Sequence, residues 1–413
     1  MTEDALPSSP ALERVEAGNL CSGCGLCASL GGAAIEMIVS KDGYNRPRQN
    51  APIPREVDEA IAHTCPGLEV EPWDASEATH PYWGPYRAVL TGHATDAELR
   101  HRASSGGALS ALLIHALESK QIDAVLHIDA DPDHPTRNIT IVSRTPAAIA
   151  DAEGSRYAPS SPLTDIESIL GGSERWAVVA KPCDASALRR LAARDPRVND
   201  RIVLILSFFC GGIPSHGGIS NILDALDVAQ DDLARYRYRG NGWPGFATAL
   251  RHDGSSAQMS YMDSWGRHLS PTVQYRCKIC PDAVGGVADL ACGDAWHGDD
   301  AGYPVFEELD GRSLIVTRSA AGEALVASAR AAGALRTEPL AIGAIDAMQP
   351  GQVRRKRALL ARLMGAAAAG EHRFRPRGLG VVSAARRASA RETIRNFIGT
   401  FSRVRKRRKI RGR

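Results

Sequence analysis

The stretch Trp176-Ala177-Val178-Val179-Ala180-Lys181-Pro182-Cys183-Asp184 reads as a strand running straight into a helix. Five apolar residues without alternation suit a strand buried on both faces. Beyond Pro182, Ala187, Leu188 and Leu191 resume helical spacing. The run Ile202 to Phe209 repeats the strand pattern and ends in Cys210-Gly211-Gly212. Upstream, Leu109, Leu112, Leu113, Ala116 and Leu117 form one buried helix face, and Ile122 to Ile128 reads as the strand after it. Helices alternating with strands predict an α/β domain, a mixed sheet with flanking helices. In such open sheets ligands bind at the carboxyl edge. Each of the two strand runs delivers a cysteine there, Cys183 and Cys210.

A third contribution is Cys277-Lys-Ile-Cys280-Pro281, a knuckle closed by proline. Cys183, Cys210, Cys277 and Cys280 thus make one set of four. A second set opens the chain: Cys21-Ser-Gly-Cys24-Gly-Leu-Cys27, with Cys65-Pro66 38 positions later. Ser22, Gly23 and Gly25 are small enough to let the backbone wrap a cluster. A two-cluster ferredoxin would carry a further Cys shortly after the third; Ser29, Leu30 and Gly31 stand there instead, so Cys65 closes the site. The spacing predicts a 4Fe-4S cluster at each set. A structural zinc site is the alternative, although zinc usually pairs two C-x2-C knuckles. Cys183 or Cys210 alone would read as a buried structural thiol. The ninth cysteine, Cys292, reads as a packed bystander that could replace a ligand.

With 413 residues and 44 % hydrophobic content, the chain is an ordinary globular protein of two or three packed units. The polar N-terminus (Thr2, Glu3, Asp4) has no apolar leader segment, and no apolar run approaches the ~20 residues of a membrane span. A cytoplasmic location is therefore expected. The net charge of +3 hides an asymmetry. Residues 373–413 hold 15 Lys or Arg and one acid, leaving about −11 for the rest. Alanine-rich stretches and the closing run from Arg403 suggest a partly helical, partly disordered basic appendage, either a solvated tail or a binding element. Ser104-Ser105-Gly106-Gly107 precedes the Leu109–Leu117 helix, where backbone N–H groups could hold a phosphate or where a serine could simply cap.

The chain resembles the beta subunits of coenzyme F420-reducing hydrogenase and of formate dehydrogenase, over residues 15–345. The resemblance is carried by the N-terminal cysteine motif, Ser104 to Gly107, Gly154-Ser155-Arg156-Tyr157, Lys181-Pro182-Cys183, Phe209-Cys210-Gly211, Tyr238-Arg239-Gly240-Asn241-Gly242-Trp243-Pro244-Gly245, and Arg276-Cys277-x2-Cys280-Pro281-Asp282 leading to Gly293-Asp294-Ala295-Trp296. It implies an α/β flavin-binding domain with a ferredoxin-like N-terminal segment. It also implies Cys183, Cys210, Cys277 and Cys280 as ligands of the cluster nearest an FAD, and Ser105, Gly106, Gly107, Ser155, Arg156, Tyr157 and Lys181 as its pocket. Arg156 has a rival reading as a surface ion-pair partner, and Tyr157 as a core aromatic. The family pattern puts an aliphatic residue at Cys292, and the basic tail has no counterpart in it.

The organisation expected is a 4Fe-4S segment over 1–80, with a Pro-rich connector from Pro66 to Pro85. The reductase domain follows in two parts, 81–165 and 166–345, and then the basic tail, 346–413. An iron–sulfur flavoprotein oxidoreductase is expected, passing electrons between a ferredoxin-type partner, the clusters, FAD and a substrate or coenzyme F420. Rival readings are an F420-exchanging subunit of a larger hydrogenase or dehydrogenase complex, and a zinc-stabilised protein whose tail binds nucleic acid or an anionic membrane surface. Nucleic acid is the less favoured partner, since no aromatic platform accompanies the basic run beyond Phe374, Phe397 and Phe401. His63, His93, His101, His115 and His297 read as surface or capping residues, so no catalytic acid is named.

Overall fold

The computed structural model describes residues 5–73, 78–298, 305, 307–371 and 374–411. Thr2 to Asp4 and the last two residues of the basic run lie outside the described residues. The centre is one eight-stranded mixed sheet. Its strands are β1 (Ala88–Ala94), β2 (Ala124–Ala130), β3 (Asn138–Ser143), β4 (Trp176–Ala180), β5 (Ile202–Phe208), β6 (Leu290–Asp294), β7 (Ser313–Thr317) and β8 (Leu335–Pro339), in the spatial order β3-β2-β4-β5-β6-β7-β1-β8. Strands β2, β4, β5 and β6 run parallel, while β3, β7, β1 and β8 pair antiparallel to their neighbours.

The unbroken apolar runs of β4 and β5 follow from helices on both faces. On one face lie α1 (Ala108–Glu118) and a helix over Ala320–Ala331, whose Leu112, Leu113, Leu325 and Val326 bury Ala177, Leu204 and Leu206. On the other, α2 (Pro182–Ala192) packs Ala185, Leu188 and Leu191 against Trp176, Val178 and Ile205. His115 is not at the surface: it is buried on α1, with Nε2 2.9 Å from Ser328 Oγ. The N-terminal segment has its own small core of Ala11, Ala28, Ile35, Ile53 and Ile61, beneath a hairpin of Ile35–Val39 and Asn45–Gln49.

The basic segment read as a partly helical, partly disordered appendage is helical over most of its described residues. It forms α3 (Pro350–Ala368) and α4 (Ala390–Arg411), packed on one another. The alanines and glycine that look like low complexity are what allow this. A Cβ on Gly365 would stand 2.4 Å from the Phe397 carbonyl oxygen, so only the bare backbone permits that approach. Between the helices, Arg375–Pro376 pairs in parallel with Glu69–Val70, tying this segment to the N-terminal unit. Among the described residues no helix is long and apolar enough to cross a membrane.

Candidate functional site

The carboxyl ends of β4, β5, β6 and β1 and the start of β7 meet along one edge of the sheet. A cavity of about 240 Å³ opens there, lined by Ser105, Gly107, Ser155, Arg156, Tyr157 and Lys181 together with Cys210 and Cys292. Six of the seven expected pocket residues thus share one space. Gly106 stands just behind it. Its N–H donates to Ser313 Oγ at 3.0 Å, and a Cβ would lie 2.7 Å from both the Gly92 carbonyl oxygen and Ser313 N.

Neither serine caps α1. The helix starts from Gly107 at φ 72°, without a side-chain cap. Ser104 Oγ instead donates to the Arg239 carbonyl at 3.1 Å and accepts from Ser155 N at 2.6 Å, holding the two loops of the cavity together. Arg156 pairs with no described carboxylate. Its guanidinium donates to Asn138 Oδ1 at 2.9 Å and to the carbonyls of Pro135, Arg137 and Tyr236. Tyr157 packs 5.1 Å from the Trp265 ring and also lines the cavity. A wider groove of about 1020 Å³ flanks β1 and β8 and is lined by Arg100, Arg312, Arg330 and Arg336. It contains none of the cysteines.

Sequence reading passed over Arg239 and Asp294 as individual site residues, although both lie in motifs that carry the resemblance. Buried Arg239 grips Asp294 with two hydrogen bonds of 2.8 and 2.9 Å. It lies against the stacked rings of Tyr261 and Trp296, 4.8 and 4.9 Å from their centroids, and Trp243 Nε1 donates to the same carboxylate at 3.0 Å. Both ends of the pair line the cavity.

Cys183 occupies the first turn of α2 and Cys210 follows β5 by two residues. The knuckle is brought to them by Gln274 N donating to the Ile213 carbonyl at 3.0 Å and Cys210 N to that of Ala283 at 2.8 Å. Backbone N–H groups of Gly212 and Ile213 point at Cys210 Sγ and Cys277 Sγ, each at 3.4 Å. Burial, then Cys277, pushes the Cys210 thiol up to about 12. Burial, then Asp184, holds Cys183 well above its ordinary range, with Cys210 and Cys277 adding to this. Burial alone pushes Cys292 up to about 12. No other thiol acts on it, which sets it apart from the four.

The N-terminal thiols enclose a cavity of about 20 Å³ lined by Cys21, Cys24, Cys27 and Cys65 among mostly apolar side chains, with Ser22 and Thr64. Gly23 at φ 81° and Gly25 at φ 91° make the turns that wrap it. Burial, then Cys21, pushes Cys65 up to about 11. Among the described residues no three His, Cys, Asp or Glu side chains converge closely enough to hold a single metal ion.

Lys181 precedes Cys183 by two residues and lines the cavity. It is 5 % exposed and pairs with Asp184 at 2.8 Å. Its Nζ also donates to Ser160 Oγ at 3.0 Å. Burial disfavours its charge, but Asp184, then Cys183 and Cys24, outweigh that and raise its pKa.

Comparison with known proteins shows the family. Residues 89–166 match the N-terminal part, and residues 173–342 the C-terminal part, of the family described as coenzyme F420 hydrogenase/dehydrogenase, beta subunit. Together these cover more than half of the chain; Cys21 to Cys65 precede both. The coenzyme F420 hydrogenase subunit beta of Methanococcus voltae is 27 % identical over 279 residues, 65 % of this chain and 88 % of that protein. The F420-dependent formate dehydrogenase subunit beta of Methanocaldococcus jannaschii is 27 % identical over 233 residues, 54 % of this chain and 57 % of that one. The chloroplastic 7-hydroxymethyl chlorophyll a reductase of Oryza sativa subsp. japonica is 22 % identical over 214 residues, 51 % of this chain and 44 % of that one. In fold, a chain of the F420-reducing [NiFe] hydrogenase complex from Methanosarcina barkeri superposes with a TM-score of 0.50 at 22 % identity, over 68 % of this chain and 95 % of that one. The chain belongs to the coenzyme F420 hydrogenase/dehydrogenase beta subunit family and is an oxidoreductase.

Proposed function

We propose that the chain is an iron–sulfur flavoprotein that relays electrons between a one-electron carrier and a two-electron substrate, with coenzyme F420 or a related hydride acceptor at the flavin. The observation that carries this reading is the single cavity that joins the expected flavin residues, Lys181 among them, to Cys210. The thiol sets suit clusters chemically. Cys21, Cys210 and Cys277 each receive a backbone N–H at 3.3 to 3.4 Å, the hydrogen bonding that thiolate ligands need. The small N-terminal cavity is lined by no acid or imidazole. When bound, a flavin supplies two-electron exchange with a substrate and one-electron exchange with a cluster.

The residues of this chain do the rest. The α1 N-terminus, left without a side-chain cap, lines the cavity, where its N–H groups would hold a pyrophosphate. Lys181 is held cationic beside it by Asp184. Arg239, locked by Asp294 and two aromatic rings, closes the wall and excludes water. The cavity lies below the ~300–1,000 Å³ usual for ligand pockets, so part of a bound FAD would extend beyond it. A second reading, an F420-exchanging subunit of a larger hydrogenase or dehydrogenase complex, is favoured by the names of the relatives. Anaerobically purified protein tests the main reading: iron and sulfide for two 4Fe-4S clusters and one releasable FAD are expected. Colourless protein carrying zinc and no flavin would overturn it.

A further inference from the structure

The helix α3 starts eight residues beyond the last family-matched position, 342, yet it reaches the second thiol set. Gln352 Nε2 and Arg355 Nη1 both donate to the Cys210 carbonyl at 2.9 Å, and Arg355 Nη2 donates to that of Gly211. Lys356 Nζ donates to the carbonyl of Pro281, the residue after Cys280. Arg362 Nη1 donates at 2.9 Å to the carbonyl of Lys278, between Cys277 and Cys280. One helix thus grips both segments that carry three of the four thiols. Neither Arg355 nor Lys356 forms an ion pair with a described carboxylate. The near acid, Asp282, is engaged by Val284 N at 3.1 Å and Gly286 N at 2.8 Å. Lys356 is nevertheless buried, 9 % exposed. Arg355 is half-buried. A buried cation without a paired carboxylate is costly unless anions stand nearby, and both Asp282 and Cys280 act on Lys356.

We propose that α3 is an electrostatic clamp on the second cluster, with Arg355 and Lys356 acting as positioning counter-cations that raise its one-electron reduction potential. An added electron makes the four-thiolate centre more negative, and nearby cations in a poorly solvated site favour that state. Ligand binding falls to the cysteines; the extension tunes the centre that they hold. This rests on the cluster assignment made above.

The test is a redox titration of whole, anaerobically purified protein followed by electron paramagnetic resonance, with iron and sulfide measured in each sample. Arg355→Gln should lower one of the two cluster potentials and leave the other in place. The expected shift is about tenfold in the reduction equilibrium, which is about 59 mV for one electron. Lys356→Met should shift the same transition in the same direction. Arg355→Lys should return the potential most of the way, which a purely structural contact would not do. Unchanged potentials in fully loaded Arg355→Gln and Lys356→Met protein would overturn the proposal. Should Arg355→Gln lose its iron, Lys356→Met and Arg355→Lys decide between the same outcomes. Wild-type protein with iron for one cluster only, unaffected by Cys183→Ala, would overturn the cluster assignment and this proposal with it.

Discussion

Arg276 Nη2 donates to the carbonyl oxygen of Pro66 at 2.7 Å, so the turn that carries Cys277 is fastened to the residue after Cys65. The guanidinium is buried, 4.1 Å from the centroid of the Phe374 ring, and its Nε has no partner among the described residues. Its charge acts on Cys21 and Cys65 of one set and on Cys280 of the other, lowering each against the larger effect of burial. One side chain therefore couples the two thiol sets mechanically and electrostatically.

Arg276→Met should destabilise the loaded protein by about 1–3 kcal/mol, because the Pro66 carbonyl loses its donor inside the protein. Arg276→Lys should cost less, since it retains a donor and the charge. The measurement is the unfolding midpoint in urea under anaerobic conditions, and equal midpoints for Arg276→Met and wild type would contradict the coupling role.

The two sets should lose metal independently. Cys24→Ala and Cys183→Ala are each expected to remove about half of the iron and sulfide, since each leaves one four-thiol site intact. Cys292→Ala should keep the full amount, because only burial acts on that thiol. Iron loss in Cys292→Ala, or none in Cys183→Ala, would reassign the second set.

Gly106→Ala should greatly reduce FAD content while leaving iron largely in place. The new Cβ would stand 2.7 Å from the Gly92 carbonyl oxygen and Ser313 N, both backbone atoms that cannot swing aside. The entry to α1 must therefore move. Flavin fluorescence after heat release gives the readout, and wild-type FAD content in the variant would show that this close approach does not shape the pocket.

Strands β4 and β5 were legible because burial on both faces leaves an unbroken apolar run, and α1 because Leu112, Leu113 and Ala116 repeat at helical spacing. The cysteine sets were legible from spacing and from the strand ends that carry them. What could not be read was contact across long separations. Arg355 and Cys210 are 145 residues apart, and the charge-rich, alanine-rich composition of α3 resembles a solvated tail until Val353, Ala358 and Leu359 are seen buried. Arg156 shows the same limit from the other side. An arginine in a polar loop reads as an ion-pair partner, whereas here carbonyls and an asparagine side chain satisfy it.

His127 on β2 should make stability depend on pH. It lines the cavity, is 6 % exposed and lies 2.7 Å from Ser143 Oγ through Nε2. Burial depresses its pKa to about 4 from the ordinary 6.5. The unfolded chain then takes up a proton that the folded chain refuses. This contribution is fully present above pH 6.5 and is lost as pH falls toward 4, by about 3 kcal/mol in all. In urea titrations at pH 7.5 and 5, wild type should lose more stability on acidification than His127→Asn. Identical losses would show that His127 takes up its proton equally well in the folded protein.

The helix α4 presents Arg391, Arg395, Arg405, Lys406 and Lys409 to solvent around exposed Ile394 and Ile398. Its opposite side packs on α3, and Arg407 stacks 4.2 Å from the ring of Tyr275, at the start of the cysteine knuckle. This face suits an acidic one-electron carrier, because complementary charge raises encounter rates in a salt-dependent way. Arg395→Glu combined with Lys406→Glu should therefore slow reduction by an acidic ferredoxin several-fold at low ionic strength. Near 1 M salt, where the screening length falls to about 3 Å, the difference from wild type should disappear. An equal deficit at both ionic strengths would mean that the substitutions disturb folding, and no deficit at either would remove α4 from the docking surface. Retention on phosphatidylserine vesicles, lost in the same variant while carrier reduction is unaffected, would assign the face to a membrane surface instead.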